Sequence, residues 1–194
     1  MMNKYFETIK ILNGEVYNIF YHQKRYERIV SNPKKLITFL GNRPHEGLYR
    51  AKLVYKENGD IENVNYFLYK KREIQSLKLL EVDRFDYSKK FLNRDILDVY
   101  FRNRDSCDDV VFVIDGKITD TTIANIAFLK EGIWYTPKNP LLPGTTRERL
   151  LETGSIQIKD IYFSDIFQYE KIALLNAMIG FDIIQQKDIR EIFC

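Results

Sequence analysis

The stretch from Val110 to Phe128 constrains the fold more than any other part of the chain. An apolar run, Val110 to Ile114, enters an Asp115-Gly116 turn, a short polar strand follows, and a second apolar run ending at Phe128 leaves. Asp-Gly between two strand-like runs specifies a tight antiparallel hairpin. Folding alone does not need Thr119-Asp120-Thr121-Thr122 ahead of a lone Asn125. Polar atoms gathered where a strand enters a core hydrogen-bond something. This cluster is therefore the first candidate for a site.

Upstream of the hairpin, Tyr5 to Leu12 alternates as a strand, and Asn13-Gly14 turns it into a second, Val16 to Tyr21. His22 to Ser31 changes to helical period, with Tyr26, Ile29 and Val30 on one face. Asn32-Pro33 breaks that helix, and Lys34 to Leu40 forms a shorter one closed by Gly41. Gly47 to Lys56 and Asn63 to Lys70 pair about Asn58-Gly59, and Ser76 to Val82 adds one more strand. Residues 1–82 thus form an α+β unit, and the polar segment 83–90 links it to the rest.

Beyond the linker, Phe91 to Arg104 carries helical spacing at Leu92, Ile96, Val99 and Tyr100. After the hairpin come strands at Ala124 to Lys130 and Ile133 to Thr136, then a proline-bearing loop, Pro137 to Pro143. Gly144-Thr145-Thr146 opens a helix, with Thr145 and Glu148 at capping-box spacing. Ile156 to Ile161, a short helix at Ser164 and the apolar run Ile172 to Ile184 complete an α/β unit over 91–194.

Several classes of function are closed. A net charge of +3, scattered among acids, gives no nucleic-acid footprint. No apolar run reaches membrane-spanning length, and the first residues carry no signal-like core. Cys107 and Cys194 form neither a disulfide framework nor a CxxC pair, so a reducing cytoplasm is the expected home. With two histidines, His22 and His45, and no Walker loop, GxGxxG or HExxH, hydrolytic triads and zinc sites are hard to build. Lysine, arginine and carboxylates remain, the side chains suited to a cofactor that brings its own electrophile.

Five short motifs stand in order: His22-x-x-Arg25-Tyr26, Lys90-Phe91-Leu92-Asn93-Arg94, Ile118-Thr119-Asp120 with Asn125-Ile126, Tyr135-Thr136-Pro137, and Leu142-Pro143-Gly144-Thr145-Thr146-Arg147. Together they resemble the class IV aminotransferases, the pyridoxal 5'-phosphate (PLP) enzymes of fold type IV. That family includes branched-chain and D-amino-acid aminotransferases and aminodeoxychorismate lyase. The resemblance implies two small α/β units with the cofactor cleft between them, a homodimer, and a small amino-acid-like substrate. It tilts toward aminodeoxychorismate lyase, the step that yields 4-aminobenzoate for folate synthesis, because Lys-x-Leu-Asn-Arg is the lyase form of that segment.

The resemblance also assigns roles. Lys90 is the lysine that carries the cofactor as an aldimine; read on its own, Lys89-Lys90 is a solvated basic pair. Neighbouring side chains of an extended segment point opposite ways, so only one of the two lysines can enter the site. Asp120 stands where the family has the Glu that holds the pyridine nitrogen protonated, one methylene shorter; alone, it reads equally as a strand-edge acid pairing with Lys117. Thr121, Thr122 and Asn125 orient that carboxylate or cap the turn. Arg25, Thr145, Thr146 and Asn176 match the phosphate cup, against a surface arginine and an ordinary capped helix. Tyr5 lies where relatives often place an active-site aromatic. Apart from the resemblance, Arg50 and Lys52 stand at i and i+2 on one strand and share a face, which suits either a substrate carboxylate or a basic stripe on the barrel exterior.

Overall fold

The computed structural model describes residues 3–185 and 188–194. The chain separates into two compact units, Met1–Lys71 with Lys89–Asn93, and Arg72–Ser88 with Arg94–Cys194.

The first unit is a four-stranded antiparallel sheet backed by a helix. β1 (Lys4–Leu12) lies between β2 (Glu15–Val16) and β3 (Leu48–Lys56), and β4 (Ile61–Leu68) closes the far edge. Asn13 and Gly14 turn β1 into β2 at φ 48° and 81°, the left-handed pair that an Asn-Gly hairpin demands. The expected second strand to Tyr21 ends at Val16 instead, and α1 (Ile19–Glu27) takes over. Asn18, at φ 53°, breaks the extended run, so the apolar Ile19, Phe20 and Tyr21 begin a helix. A 3₁₀ turn, Leu36–Leu40, replaces the second expected helix. Alternation puts Tyr5, Glu7, Ile9 and Ile11 of β1 on one buried face, where Tyr5 packs with Tyr26, Leu53 and Tyr55, and Ile9 and Ile11 pack with Leu40 and Ala51. Lys89–Asn93 returns to this sheet: Lys90 accepts from the Phe6 N–H at 3.0 Å, and Leu92 donates to the Lys4 carbonyl at 2.8 Å.

The second unit holds a mixed sheet. β5 (Leu77–Glu81) pairs in parallel with β6 (Asp109–Ile114), so the strand expected to finish the first unit belongs to the second. The sequence boundaries at 82 and 91 move to 71 and 93 for this reason, with 89–93 handed back to the first unit. α2 (Asp95–Arg102) starts later than its spacing suggested and turns its faces: Leu97 is buried, whereas Ile96 and Val99 are 39% and 45% exposed. β7 (Lys117–Thr121) follows the Asp115-Gly116 turn, whose φ values of 50° and 71° suit the short hairpin. β8 (Asn125–Lys130), β9 (Ile133–Pro137), α3 (Thr145–Glu152), β10 (Gln157–Lys159), a 3₁₀ turn at Phe163–Gln168, β11 (Lys171–Asn176) and β12 (Gly180–Ile183) complete the unit. Its core gathers Val111, Val113, Ile126, Phe128, Ile172 and Leu174.

Cys107 and Cys194 are joined as a disulfide across 87 positions, with Cα atoms 6.3 Å apart. This corrects the expectation that the two cysteines form no disulfide, and with it cysteine usage no longer points to a reducing compartment. The last residues run beside β5, where the Leu77 N–H donates to the Ile192 carbonyl at 2.7 Å, and that pairing delivers Cys194 to Cys107.

Candidate active site

In the first unit the predicted residues divide between the two faces of the sheet. Lys90 is half-buried with its Nζ 4.8 Å from the centre of the Phe6 ring, and the Lys52 amine lies 5.2 Å from the same ring. Lys89 points away, over Tyr5 at 5.7 Å and to Glu57 at 3.7 Å. The two neighbouring lysines therefore diverge, as an extended segment requires. Arg50 shares the Lys52 face, its guanidinium 5.0 Å over Phe67.

Tyr5 is not on a surface that a substrate reaches. It is fully buried, its ring 5.7 Å from Tyr55 and 5.3 Å from Phe91. As a bulky aromatic on the covered face of β1 it serves the core.

Arg25 is buried beneath the sheet, held by an acid that sequence reasoning did not single out. Its Nε donates to Glu7 Oε1 at 2.9 Å and its Nη2 to Glu7 Oε2 at 2.5 Å. His22 Nδ1 donates to the same Oε2 at 2.6 Å. Burial alone would push the Glu7 carboxyl up; the Arg25 guanidinium and the hydrogen bonds from His22 and Arg25 outweigh it and hold the group at about 2. Burial pushes the His22 imidazole down, so it stays neutral beside its charged neighbours. The signal was present: Glu7 falls on the apolar face by strict alternation, where an unpaired acid is not tolerated.

In the second unit the hairpin cluster becomes a connected network. Asp120 is buried; its Oδ1 accepts from Asn125 Nδ2 at 2.8 Å and its Oδ2 from the Leu142 N–H at 2.9 Å. Lys117, the alternative partner, pairs with Asp160 instead at 3.1 Å. Burial pushes the Asp120 carboxyl up to about 6, against the pull of the Leu142 N–H, Asn125 and the Arg147 charge. A bulge aims this side chain: Val111 faces Thr121 and Val113 faces Ile118, two steps on β6 against three on β7. Thr121 caps the turn, its hydroxyl accepting from the Ala124 N–H at 3.1 Å, and Thr122 donates to Asp109 at 2.6 Å.

Asn125 also ties Asp120 to the entry of α3. It donates to the Leu142 carbonyl at 2.8 Å, and its Oδ1 lies 1.9 Å from where a Cβ on Gly144 would be. Glycine is required there by contact, since its φ of −74° suits any residue. Gly144 is the N-cap of α3 and no side chain caps the helix, so the expected capping box through Thr145 is not formed. Thr145 and Thr146 are buried in the first turn, where backbone N–H groups lack helical acceptors. Arg147, also unforeseen, is buried and donates to the Pro137 carbonyl at 2.8 Å and to Thr136 Oγ1 at 3.3 Å.

Asn176 builds a turn. Its Oδ1 accepts from the N–H groups of Met178 and Ile179 at 2.9 and 3.1 Å, and its Nδ2 donates to the Ile123 carbonyl at 3.3 Å. The polar residue in an apolar run has its partners, and they are backbone.

Residues 63–186 match the amino-transferase class IV family. An "Uncharacterized protein" of Haemophilus influenzae is 35% identical over 186 residues, 90% of this chain and 97% of that one. A "Putative aminodeoxychorismate lyase" of Schizosaccharomyces pombe is 46% identical over 75 residues, 36% of this chain and 32% of its own. The crystal structure of a "putative 4-amino-4-deoxychorismate lyase" from Haemophilus somnus 129pt superposes with a TM-score of 0.85 at 35% identity, covering 93% of this chain and 98% of that one. The chain belongs to the amino-transferase class IV family and is a fold-type IV enzyme of the PLP-dependent class.

Proposed function

We propose that this chain is a PLP enzyme of the aminodeoxychorismate lyase kind, releasing 4-aminobenzoate and pyruvate from aminodeoxychorismate. The observation that carries the reading is the Asp120–Asn125–Gly144 linkage. It holds a buried acid against the uncapped first turn of α3. PLP needs an acid at its ring nitrogen and an anion cup at its phosphate, and this one network offers both.

The residues fit the group. A carboxylate has about four lone-pair sites, and Asp120 uses them on Asn125 and on the backbone of Leu142 and Leu141, which leaves room for one further donor. Thr145 and Thr146 present backbone N–H groups at the positive end of an eight-residue helix, a natural seat for a dianion. Arg25, the family's phosphate arginine by resemblance, has Nε and Nη2 on Glu7, which fixes the plane of its guanidinium.

When bound, PLP supplies an electron-withdrawing ring that stabilises negative charge on the substrate carbon. Lys90 would hold the cofactor, and its amine would take the substrate proton and return it. Asp120 would hold a proton at the ring nitrogen, and Asn125 keeps Asp120 in place. Arg50 and Lys52 offer cations for a substrate carboxylate on the sheet face they share with Phe6. We place the enzyme in the cytoplasm as a homodimer, a placement that rests on the family and not on the cysteines, which are bonded to each other. The lyase tilt is supported by the Lys90-Phe91-Leu92-Asn93-Arg94 segment together with the two lyase-named relatives.

The test is spectroscopic, then chemical. Protein incubated with PLP should gain a visible absorption band, and borohydride should attach the cofactor irreversibly to the peptide containing Lys90. A colourless protein, or a Lys90→Ala variant that keeps the band, overturns the assignment in favour of a non-catalytic PLP-fold protein. Pyruvate release from aminodeoxychorismate without a 2-oxo acid supports the lyase. Amino transfer to a 2-oxo acid in its place makes the enzyme a branched-chain or D-amino-acid aminotransferase.

A further inference from the structure

Asp109 opens β6 fully buried, and the chemistry above does not use it. Its Oδ1 accepts from Thr122 Oγ1 at 2.6 Å and from the Val110 N–H at 2.9 Å, while its Oδ2 is buried with no hydrogen bond among the described residues. A buried acid with one unsatisfied oxygen is costly to keep, and an apolar residue at a strand head would fold more easily. Burial pushes its carboxyl up, with the Thr122 hydroxyl pulling the other way. Such a group needs a reason.

The reason lies in the bulge. The β6–β7 register slips between Val111 and Val113, and past the slip the end of β7 that carries Asp120 meets β6 at the single pair Val111–Thr121. β7 meets β8 at one pair, Asp120 with Asn125. The turn between them closes on itself, with the Thr121 N–H donating to the Ala124 carbonyl at 2.9 Å and the Thr121 hydroxyl capping it. The turn is attached to its surroundings through Thr122, whose hydroxyl binds Asp109 and whose carbonyl accepts from Arg94 Nη2 at 2.8 Å, and through Ile123, whose carbonyl accepts from Asn176 Nδ2 at 3.3 Å.

We propose that Asp109 is a positioning residue: through the Thr122 hydroxyl it anchors the Thr121–Ala124 turn and thereby sets where the Asp120 carboxylate sits. This rests on the reading of Asp120 as the acid at the cofactor's ring nitrogen. Asp109 touches neither cofactor nor substrate.

Thr122→Val keeps the shape and removes the hydroxyl; Thr122→Ser restores it; Asp109→Asn keeps an acceptor for both donors. The carboxyl pKa of Asp120 is measured by carbon-13 NMR on protein without PLP, and the visible band and kcat are measured with PLP. In Thr122→Val the Asp120 pKa should fall from about 6 toward the ordinary value of 3.8, as the carboxyl gains solvent while Arg147 stays beside it. The PLP band should shift, and kcat should drop on the order of ten- to a hundredfold with KM little changed. Thr122→Ser should recover all three, and Asp109→Asn should stay near wild type. An unmoved Asp120 pKa in Thr122→Val, or no recovery in Thr122→Ser, overturns the proposal. Wild-type protein that takes up no PLP overturns the functional reading instead, because the NMR measurement still decides the role of Asp109.

Discussion

Glu7 and Arg25 face each other in a buried two-point ion pair, Nε to Oε1 at 2.9 Å and Nη2 to Oε2 at 2.5 Å, with His22 closing on the same Oε2. The buried guanidinium is thus held in place by the fold of the first unit itself.

Replacing Glu7 by Gln leaves that guanidinium buried without its counter-charge and should cost about 3–5 kcal/mol at pH 7. The Glu7 carboxyl is held at about 2 against 4.5 in its ordinary state. Its stabilisation is therefore complete above 4.5 and is lost as pH falls through 2. Urea unfolding of wild type and Glu7→Gln at pH 7, 4.5 and 3 should show the gap narrowing at the lowest pH. A gap that stays constant would mean that the pair carries no net charge interaction.

Asp120 behaves in the opposite sense. Its folded carboxyl is raised from 3.8 to about 6, so the folded state binds the proton more tightly. Its contribution to stability is complete below 3.8 and disappears as pH rises through 6, a loss of about 3 kcal/mol in protein without cofactor. A cationic ring nitrogen beside it needs the ionised form. PLP should bind more tightly at pH 7.5 than at pH 5, and Asp120→Asn should flatten that dependence in an absorbance titration.

Gly144→Ala should fail for a steric reason. The new methyl would sit 1.9 Å from Asn125 Oδ1, with a backbone conformation alanine accepts readily. Overpacking of this kind costs about 1–3 kcal/mol. The displaced Asn125 would release Asp120, so PLP affinity should fall further than thermal stability does. Asn125→Ala should reproduce the affinity loss without the clash.

Asn176→Ala separates a turn from a ligand. Losing the bonds to Met178, Ile179 and Ile123 should lower stability by about 1–2 kcal/mol. A PLP affinity unchanged after correction for folding would leave Asn176 as a turn residue, whereas a selective loss would return it to the phosphate cup.

Reduction of the Cys107–Cys194 bond should free the C-terminal residues from β5 and cost about 2–4 kcal/mol. Thiol titration in denaturant, with and without prior reductant, counts the bonded pair directly. Cys194→Ser should match the reduced protein in urea.

The parts of the fold that local chemistry decides were readable from residues alone. Asp115-Gly116 and Asn13-Gly14 declared their hairpins, because each turn needs two residues at positive φ. Ile19 to Tyr21 misled, since three apolar residues carry no period and the left-handed Asn18 decides between strand and helix. The buried face of α2 was misassigned because Leu92 precedes the helix and does not share its register. Asp120 stood out as polar in the wrong place, yet nothing local announced Leu142 or Gly144 as its neighbours. Those contacts close over more than fifteen residues of chain, beyond the reach of any local pattern. Glu7 was legible in principle, an acid at a covered position of an alternating strand.

The return of residues 89–93 to β1 carries a consequence for how the protein is made. Tyr5 bridges Phe91, and the Phe6 N–H waits for the Lys90 carbonyl. β1 cannot acquire these partners until residue 93 has also emerged from the ribosome. The seat of Lys90 is thus among the last features of the first unit to form. A nascent chain halted before that point would present β1 with those partners missing, open to pairing with another chain.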